Sequence, residues 1–486
     1  MGTNPAGIDF LFNPRSIAFV GATEAKAKWG FIVFNNLVSG GYRGGIYPVN
    51  PGHQSIMGMR CYPSVRDIPD EVDLAVFTVP ARQVPPVLKD CAEKGVKAAL
   101  VISAGFRETG GRGAALEREI VGIADSAGMV LVGPNGQGLC CPENSLYPWM
   151  PLFYPREGRI AFVCQSGNIL NMLIGHALER GQGVSKGVSS GNEAQLGTED
   201  FVSYFSRDRA TDVIVCYLEG VEDGRRFLDT MRGATARKPV VMLKGGRSAP
   251  GVAAAKSHTG ALAVEASIFE SACRQAGVTV TDTIRQAGIT ASAFVNRPLP
   301  QGRRVAIVTG GGGLGVLAAD SCAERGLEVV RLSDRTLSSI GRLLPDYWVP
   351  GNPVDLVAGL DLTVVKPVLE TIMRSGEADS VLFLFIEAPR EGAAGARSGD
   401  GAGIDLSAAW DMFTEQVVGF LEELEGLARE SGVPLYVASN FESARSVDSS
   451  GSTRLSTTVF DDVESACAAI SDMVAYSLYL NSGGTA

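Results

Sequence analysis

Histidine is nearly missing from this 486-residue chain, which has three, at positions 53, 176 and 258. No clustered Asp, Glu or Cys accompanies them, so no metal is expected in this chain. Basic charge is also short: 43 Lys and Arg face 53 Asp and Glu, for a net charge of −10, and no basic run occurs. That balance disfavours a nucleic-acid footprint. No uninterrupted apolar stretch reaches ~18–20 residues, so no membrane-spanning helix is expected. The start, "MGTNPAGIDFLFNPRSIAF", lacks a basic segment followed by an apolar core, so no signal peptide is expected. Ala6 stands where an N-myristoylation signal needs Ser or Thr. The nine cysteines are odd in number, scattered and never C-x-x-C, with Cys140-Cys141 merely adjacent. Such usage reads as reduced thiols of a cytoplasm.

Glycine, by contrast, is abundant, and its 59 residues gather at the ends of apolar runs. The length exceeds what one core supports, and a prior of about 150 residues per domain suggests three domains. The repeating pattern is a short β-branched run, a Gly-rich turn and a helical segment. The first unit carries "SIAFVGAT" (16–23), "GGIYPVNP" (44–51), "VDLAVFTVP" (72–80), "KAALVISAGF" (97–106) and "MVLVGPNG" (129–136). After the connector "SLYPWMPLFYPREG" (145–158) come "RIAFVCQSGN" (159–168), "GVSKGVSSGNEAQ", "DVIVCYLEG" (212–220) and "KPVVMLKGGRS" (238–248). A second connector, "NRPLPQGRR" (296–304), leads to "RVAIVTGGGG" (304–313), "LEVVRL", "SVLFLFIEA" (380–388) and "PLYVASN" (434–440). Continuous apolar strands alternating with helices predict parallel sheets covered on both faces, an α/β fold. The stretch "REGAAGARSGDGAG" (390–403) reads as a low-complexity loop.

"FVGAT" ends a strand in Gly-small-Thr and, opening a helix, would offer backbone N–H groups to an anion. "GATEAK" lacks the second and third glycines of G-x-G-x-x-G, and no acidic residue is placed for a ribose, so a dinucleotide reading is poor. The alternative is a tight strand–helix turn. "YPVNPGHQ" (47–54) ends the second strand, at the sheet edge where parallel α/β proteins bind ligands. "CQSGN" (164–168) and "SSGNEAQLG" (189–197) repeat this logic in the second unit. Each alone is a simple N-cap; two beside one histidine read as a phosphate or carboxylate cradle. That histidine, His258, lies in "AAAKSHTGALA" (253–263), a small, polar run that buries nothing. It is either a solvated loop residue or a nucleophile, and a nucleophile needs its far nitrogen held by an acceptor. Glu219, just past a strand end, can serve as that acceptor, or can be only a helix-initiating carboxylate.

"GAT", "VNP", "SAGF", "GPN", "QSG", "SGNEAQLG", "YLEGVEDGRRF", "KGGRS" and "SHTGALA" follow one another in an order that strongly resembles the NDP-forming acyl-CoA synthetases. These are relatives of the succinyl-CoA synthetase α subunit. "AIVTGGGGLGVLAAD" and "PDYWVPGNPVDL" resemble that family's ligase-CoA domain. The resemblance implies a Rossmann-like CoA-binding domain over 1–145, followed by two flavodoxin-like parallel α/β domains. The first of these, 155–295, would carry the phosphohistidine loop, and the second, 302–486, would be the ligase-CoA domain.

It also implies an acid–thiol ligase. Acyl-CoA and inorganic phosphate give acyl phosphate and CoA, and the phosphoryl group then passes through His258 to a nucleoside diphosphate. Glu219 would orient or stabilise His258. CoA would lie against Gly21, Ala22, Thr23, Val49, Asn50, Pro51 and His53, with Pro80, Ser103, Ala104 and Gly105 beside its pantetheine arm. Pro134, Asn135, Gln165, Ser166, Gly167, Asn168, Gly191, Asn192 and Glu193 would hold the phosphoryl and acyl groups. The implied partners are CoA, a carboxylic acid, and an ATP-grasp β-type subunit supplying Mg-ATP or ADP, in a cytoplasmic oligomer.

Three departures from the family pattern stand out. No ATP-grasp module is recognised in this sequence, so the nucleotide step would need a separate β-type subunit. Gly136 and Gln137 in "GPNGQG" stand where relatives often carry Cys and an apolar residue, beside the acyl pocket. The Gly/Ala-rich stretch 390–403 follows a strand after which succinyl-CoA synthetase relatives open a phosphate-binding helix, so a second phosphate site there would be weakened. Two alternatives share the scaffold: a nucleotide-independent acyl or carbamoyl transferase, and a non-catalytic CoA-binding protein. The aromatic connector, Tyr147, Trp149, Phe153 and Tyr154, either lines a pocket for a bulky acid or packs between domains.

Overall fold

A computed structural model describes residues 5–253, 265–295, 297–357, 362–385, 407–439 and 459–484. They divide into two compact units, one holding most of the chain to Ala291 and the other running from Ser292 to Gly483.

The first unit contains two large sheets. Strands β1 (Ser16–Val20), β2 (Gly45–Val49), β5 (Leu74–Phe77), β6 (Ala98–Val101) and β7 (Val130–Val132) form a parallel sheet in the order β2-β1-β5-β6-β7. A small hairpin, β3 (Ser55–Ile56) with β4 (Met59–Arg60), follows β2. All side chains of β1, β5, β6 and β7 are buried. Those strands read as unbroken apolar runs because helices such as Trp29–Ser39 and Gly111–Ala127 flank the sheet.

The second sheet runs β13 (Thr279–Thr281), β12 (Val240–Lys244), β11 (Val213–Leu218), β9 (Glu157–Cys164), β10 (Val184–Ser189), β8 (Gly138–Cys140). The last strand, β8, pairs antiparallel with β10, and it is donated by chain that has only just left the first sheet. The N-terminal helix, Pro5–Phe12, also crosses over, stacking Phe12 on Tyr204 at 5.8 Å and meeting Phe205 at 5.7 Å. Of the connector's aromatics Tyr147 and Trp149 are buried and Tyr154 is exposed, and the buried Asn36 donates to the carbonyls of Trp149 (2.9 Å) and Pro151 (2.8 Å).

In the other unit, β14 (Arg304–Thr309), β15 (Glu328–Val329), β17 (Ser380–Leu384), β18 (Leu435–Ala438) and β19 (Val459–Phe460) are ordered β15-β14-β17-β18-β19. A short strand, β16 (Val354–Asp355), pairs with the end of β14. The stretch 390–403 lies outside the described residues.

In each sheet the next parallel strand lies on one side of the first and a later one on the other side, so each has a switch point: between β1 and β5, between β9 and β11, and between β14 and β17. Each also carries the same clamp at the opposite end. Arg15 at the start of β1 grips Asp73, Arg159 in β9 grips Asp212, and Arg304 in β14 grips Asp379, all through Nε and a second guanidinium nitrogen. For Asp73 and Asp379 burial pushes the carboxyl up, but the arginine's hydrogen bonds and charge outweigh it and hold both below the usual range.

Candidate functional site

The first switch point lies between the carboxyl ends of β1 and β5. Gly21 leaves β1 at φ +97°, and a Cβ there would lie 2.8 Å from Thr78 Oγ1 and 2.9 Å from Val79 Cγ1. Only glycine lets the two strand ends approach this closely. The helix expected to open directly at "GAT" begins eight residues after Gly21, at Trp29. Residues 22–28 form a loop that a short sequence window cannot distinguish from a helix start. Asn50 secures that loop: its Nδ2 donates to the Ala22 carbonyl (2.8 Å), while its Oδ1 accepts from Gly52 N–H (3.0 Å). Next to it, Ser103 Oγ donates to the Val79 carbonyl (2.5 Å), and its own carbonyl accepts from Asn135 N–H (3.0 Å). Glu108 Oε1 ties the "SAGF" turn by accepting from Gly105 (2.6 Å) and Phe106 (3.0 Å).

The second switch point lies between β9 and β11. There Gly167 is the first residue of the helix Gly167–Glu179. Its first internal bond runs from Leu170 N–H to the Ser166 carbonyl (3.1 Å), so the preceding N–H groups point out of the helix end, where the dipole favours an anion. Gln165 joins two carboxylate residues at this point. Its Nε2 donates to Glu193 Oε2 (2.9 Å), and its Oε1 accepts from Glu219 N–H (2.6 Å). Glu219 is 8% exposed, accepts from the Tyr217 hydroxyl (3.3 Å), and has its backbone carbonyl held by Lys244 Nζ (2.7 Å). Burial lowers the Lys244 pKa, and the charge of Glu219 partly restores it.

Glu193 has a raised pKa because burial outweighs the hydrogen bonds from Ser190, Thr198 and Gln165. Glu199 is pushed up to about 7, chiefly by burial and then by the negative charge of Glu193.

The two switch points open into one cavity of about 940 Å³. Of the expected CoA contacts, Gly21, Thr23, Asn50, His53, Pro80, Ser103 and Ala104 line it. Ala22 and Val49 are buried behind the wall, Pro51 is exposed, and Gly105 shapes the turn at φ +109°. Of the expected phosphate and acyl contacts, Asn135, Gln165, Ser166, Gly167, Asn168, Gly191 and Asn192 line it. Pro134, Glu193 and Glu219 stand just behind, through the bonds given above and below. His258 lies outside the described residues.

The wall between the two sheets is stitched by backbone. Asn192 N–H donates to the Pro134 carbonyl (2.8 Å) and Ala194 N–H to that of Gly133 (3.0 Å). The Asn192 side chain donates to Glu108 Oε2 (2.7 Å) and Glu117 Oε2 (2.8 Å) and accepts from Asn135 Nδ2 (3.2 Å). Its polar atoms are therefore engaged within the wall. Thr78, Trp29, Gly30 and Met150 also line the cavity although no motif announced them, and of the connector's side chains Met150, not the four aromatics, reaches it. Glu108 was legible only as a carboxylate two residues past a Gly-Phe turn.

Chemically, the cavity joins a glycine-lined groove for a long ligand to a helix end suited to an anion. No helix among the described residues is long and apolar enough to cross a membrane. Among those residues, no group of three or more His, Cys, Asp and Glu could hold a metal ion.

Three family models match: a CoA-binding domain over 15–141, a succinyl-CoA-ligase-like flavodoxin domain over 157–294 and a ligase-CoA domain over 305–386. The α subunit of an ADP-forming acetate–CoA ligase II from Pyrococcus furiosus is 41% identical over 352 residues, 72% of this chain and 76% of that one. An ADP-forming acetate–CoA ligase I from Archaeoglobus fulgidus is 38% identical over 375 residues, and the match spans only 54% of its length. The acetyl-CoA synthetase 1 of Ca. Korarchaeum cryptofilum, solved with phosphate and ADP, superposes with a TM-score of 0.84 at 31% identity, covering 98% of both chains.

Proposed function

This chain belongs to the NDP-forming acyl-CoA synthetases of the succinyl-CoA synthetase superfamily, and we propose that it is the α-type subunit of an acid–thiol ligase. The proposed modules are 1–145 for CoA, 155–295 for the phosphohistidine loop and 302–486 for the ligase-CoA domain. Inorganic phosphate attacks the thioester carbonyl, the C–S bond breaks, and CoA leaves as a thiol once its sulfur takes a proton. The acyl phosphate forms where the helix end at Ser166–Asn168 stabilises the phosphoryl charge. An imidazole nitrogen of His258 then attacks phosphorus, the carboxylate leaves, and Glu219 stabilises the imidazolium. A separate ATP-grasp β-type subunit accepts the phosphoryl group onto ADP, and the reverse sequence activates the acid.

The observation that carries this reading is the single cavity joining the Gly21–Asn50–Ser103 groove to the Gln165–Asn168 helix end. That geometry supports a reading in which a thioester held in the groove meets a phosphate at the helix end. The named relatives act on acetate, which supports a small carboxylic acid, and one of them is an α subunit, which supports a partner subunit and an oligomer. A cytoplasmic setting completes the proposal.

The test is phosphorylation of the purified chain. Incubation with inorganic phosphate and a panel of acyl-CoAs should add one acid-labile phosphoryl group by intact mass, and His258→Ala should add none. Incubation with the β-type subunit and ATP should label the same residue. A wild-type chain that stays unlabelled under both conditions while still binding CoA would overturn the ligase reading in favour of a transferase or a CoA-binding protein.

A further inference from the structure

We infer that Gln137 selects the acyl group, favouring a short carboxylic acid that carries a hydroxyl over its plain alkyl counterpart. The inference rests on the acyl-CoA reading above and deepens it. Gln137 lies at the phosphate end of the cavity: a Cβ built on Gly167 would lie 2.6 Å from Gln137 Cβ and would overlap the carbons beyond it. Its stem therefore lies directly on the first turn of the helix that would hold the phosphoryl group. Its backbone carbonyl accepts from Met150 N–H (2.9 Å), so Gln137 and Met150 face the cavity side by side. Gly136 adds no side chain there, since a Cβ would collide with the Ser189 carbonyl.

The amide of Gln137 is fixed from both sides. Its Nε2 donates to Asn168 Oδ1 (2.9 Å), and its Oε1 accepts from Asn171 Nδ2 (3.0 Å). A primary amide has two N–H groups and two lone pairs on oxygen, so one of each remains to offer. A hydroxyl can use both, giving and receiving one hydrogen bond. An alkyl chain seated there would strip water from both groups and return nothing.

The assay is phosphate-dependent release of CoA thiol from 3-hydroxybutyryl-CoA and from butyryl-CoA, which share a carbon skeleton. Wild type should prefer the hydroxylated thioester by about tenfold in kcat/KM, with most of the difference in KM. Gln137→Leu should reduce that preference to near one or invert it. Asn171→Ala leaves the glutamine in place but frees its Oε1, and should cut the preference by about threefold. CoA affinity, measured by calorimetry, should stay within twofold of wild type in both variants. A merely structural role for Gln137 would slow both thioesters equally, so an unchanged ratio in active variants would overturn the inference. If Gln137→Leu does not fold, an unchanged ratio in Asn171→Ala has the same force. A wild-type enzyme that releases CoA from other acyl-CoAs but shows no preference within this pair also overturns it. Wild type that releases CoA from no thioester, alone or with its nucleotide-binding partner, brings down the ligase reading and this inference with it.

Discussion

Gly191→Ala tests the seam between the first two sheets. Gly191 sits at φ +58°, and a Cβ there would collide with the Pro134 carbonyl, 2.7 Å from both the Asn135 carbonyl carbon and Gly136 N. All three obstacles are backbone, so no side chain can swing aside. The left-handed conformation costs an alanine about 1 kcal/mol. Relieving the collision means separating the two loops, which puts the bonds from Asn192 N–H to Pro134 and from Ala194 N–H to Gly133 at risk, at about 1 kcal/mol each. The expected loss is about 3 kcal/mol, or ~5 °C in the unfolding temperature of a unit this large. CoA should also bind ~10-fold more weakly, because the seam forms one wall of the cavity. Scanning calorimetry and titration of CoA measure the two effects. Gly122→Ala is the control: it lies inside the helix Gly111–Ala127 with no atom within 4 Å of its added methyl, and should stabilise by ~0.5–1 kcal/mol. Equal stability of Gly191→Ala and wild type would refute the reasoning.

Two further perturbations address the site and its pH dependence. Asn50→Ala removes the bonds to Ala22 and Gly52, and should raise the Kd for CoA about tenfold while costing ~1 kcal/mol of stability. An unchanged Kd by calorimetry would mean that the loop holds its shape without Asn50. Glu199 titrates near 7 in the folded chain against an ordinary value of 4.5, so the folded state binds the extra proton. Its contribution to stability is fully present below about pH 4.5 and is lost as pH rises through about 7. Glu199→Gln should therefore exceed wild type by about 1–3 kcal/mol in urea unfolding at pH 8, and by much less at pH 5. A difference that is the same at both pH values would contradict this assignment.

The architecture was largely legible because its signal is strong. Buried parallel strands such as Leu74–Phe77 and Ala98–Val101 are unbroken apolar runs ending in Gly, Pro or Ser, and that pattern belongs to few alternatives. Several strands of two or three residues were not legible. Gly138–Cys140, Val354–Asp355 and Val459–Phe460 are too short to show any period, and only their pairing defines them. The site divides in the same way. Turns that carry a Gly-x-Asn or Ser-Gly-Asn signature could be placed at strand ends. By contrast, the bridging of Glu193 and Glu219 by Gln165 joins residues far apart in sequence, and nothing local announces it. The connector's aromatics show the converse: a run that suits a binding pocket by composition is consumed by packing around Asn36.

The Arg–Asp clamps recur as Arg15–Asp73, Arg159–Asp212 and Arg304–Asp379, always tying together the beginnings of the two neighbouring parallel strands that flank a switch point. They stand at the far end of each strand from the switch-point loops, which in the first two sheets make the cavity. This separates two burdens that a protein must otherwise meet with the same residues. The strand order is secured at one rim, so the opposite rim can lose or gain loops, glycines and side chains without loosening the frame. Three such frames in tandem give one chain three rims that can each be remodelled independently, and a change of acid or partner can be confined to one rim at a time.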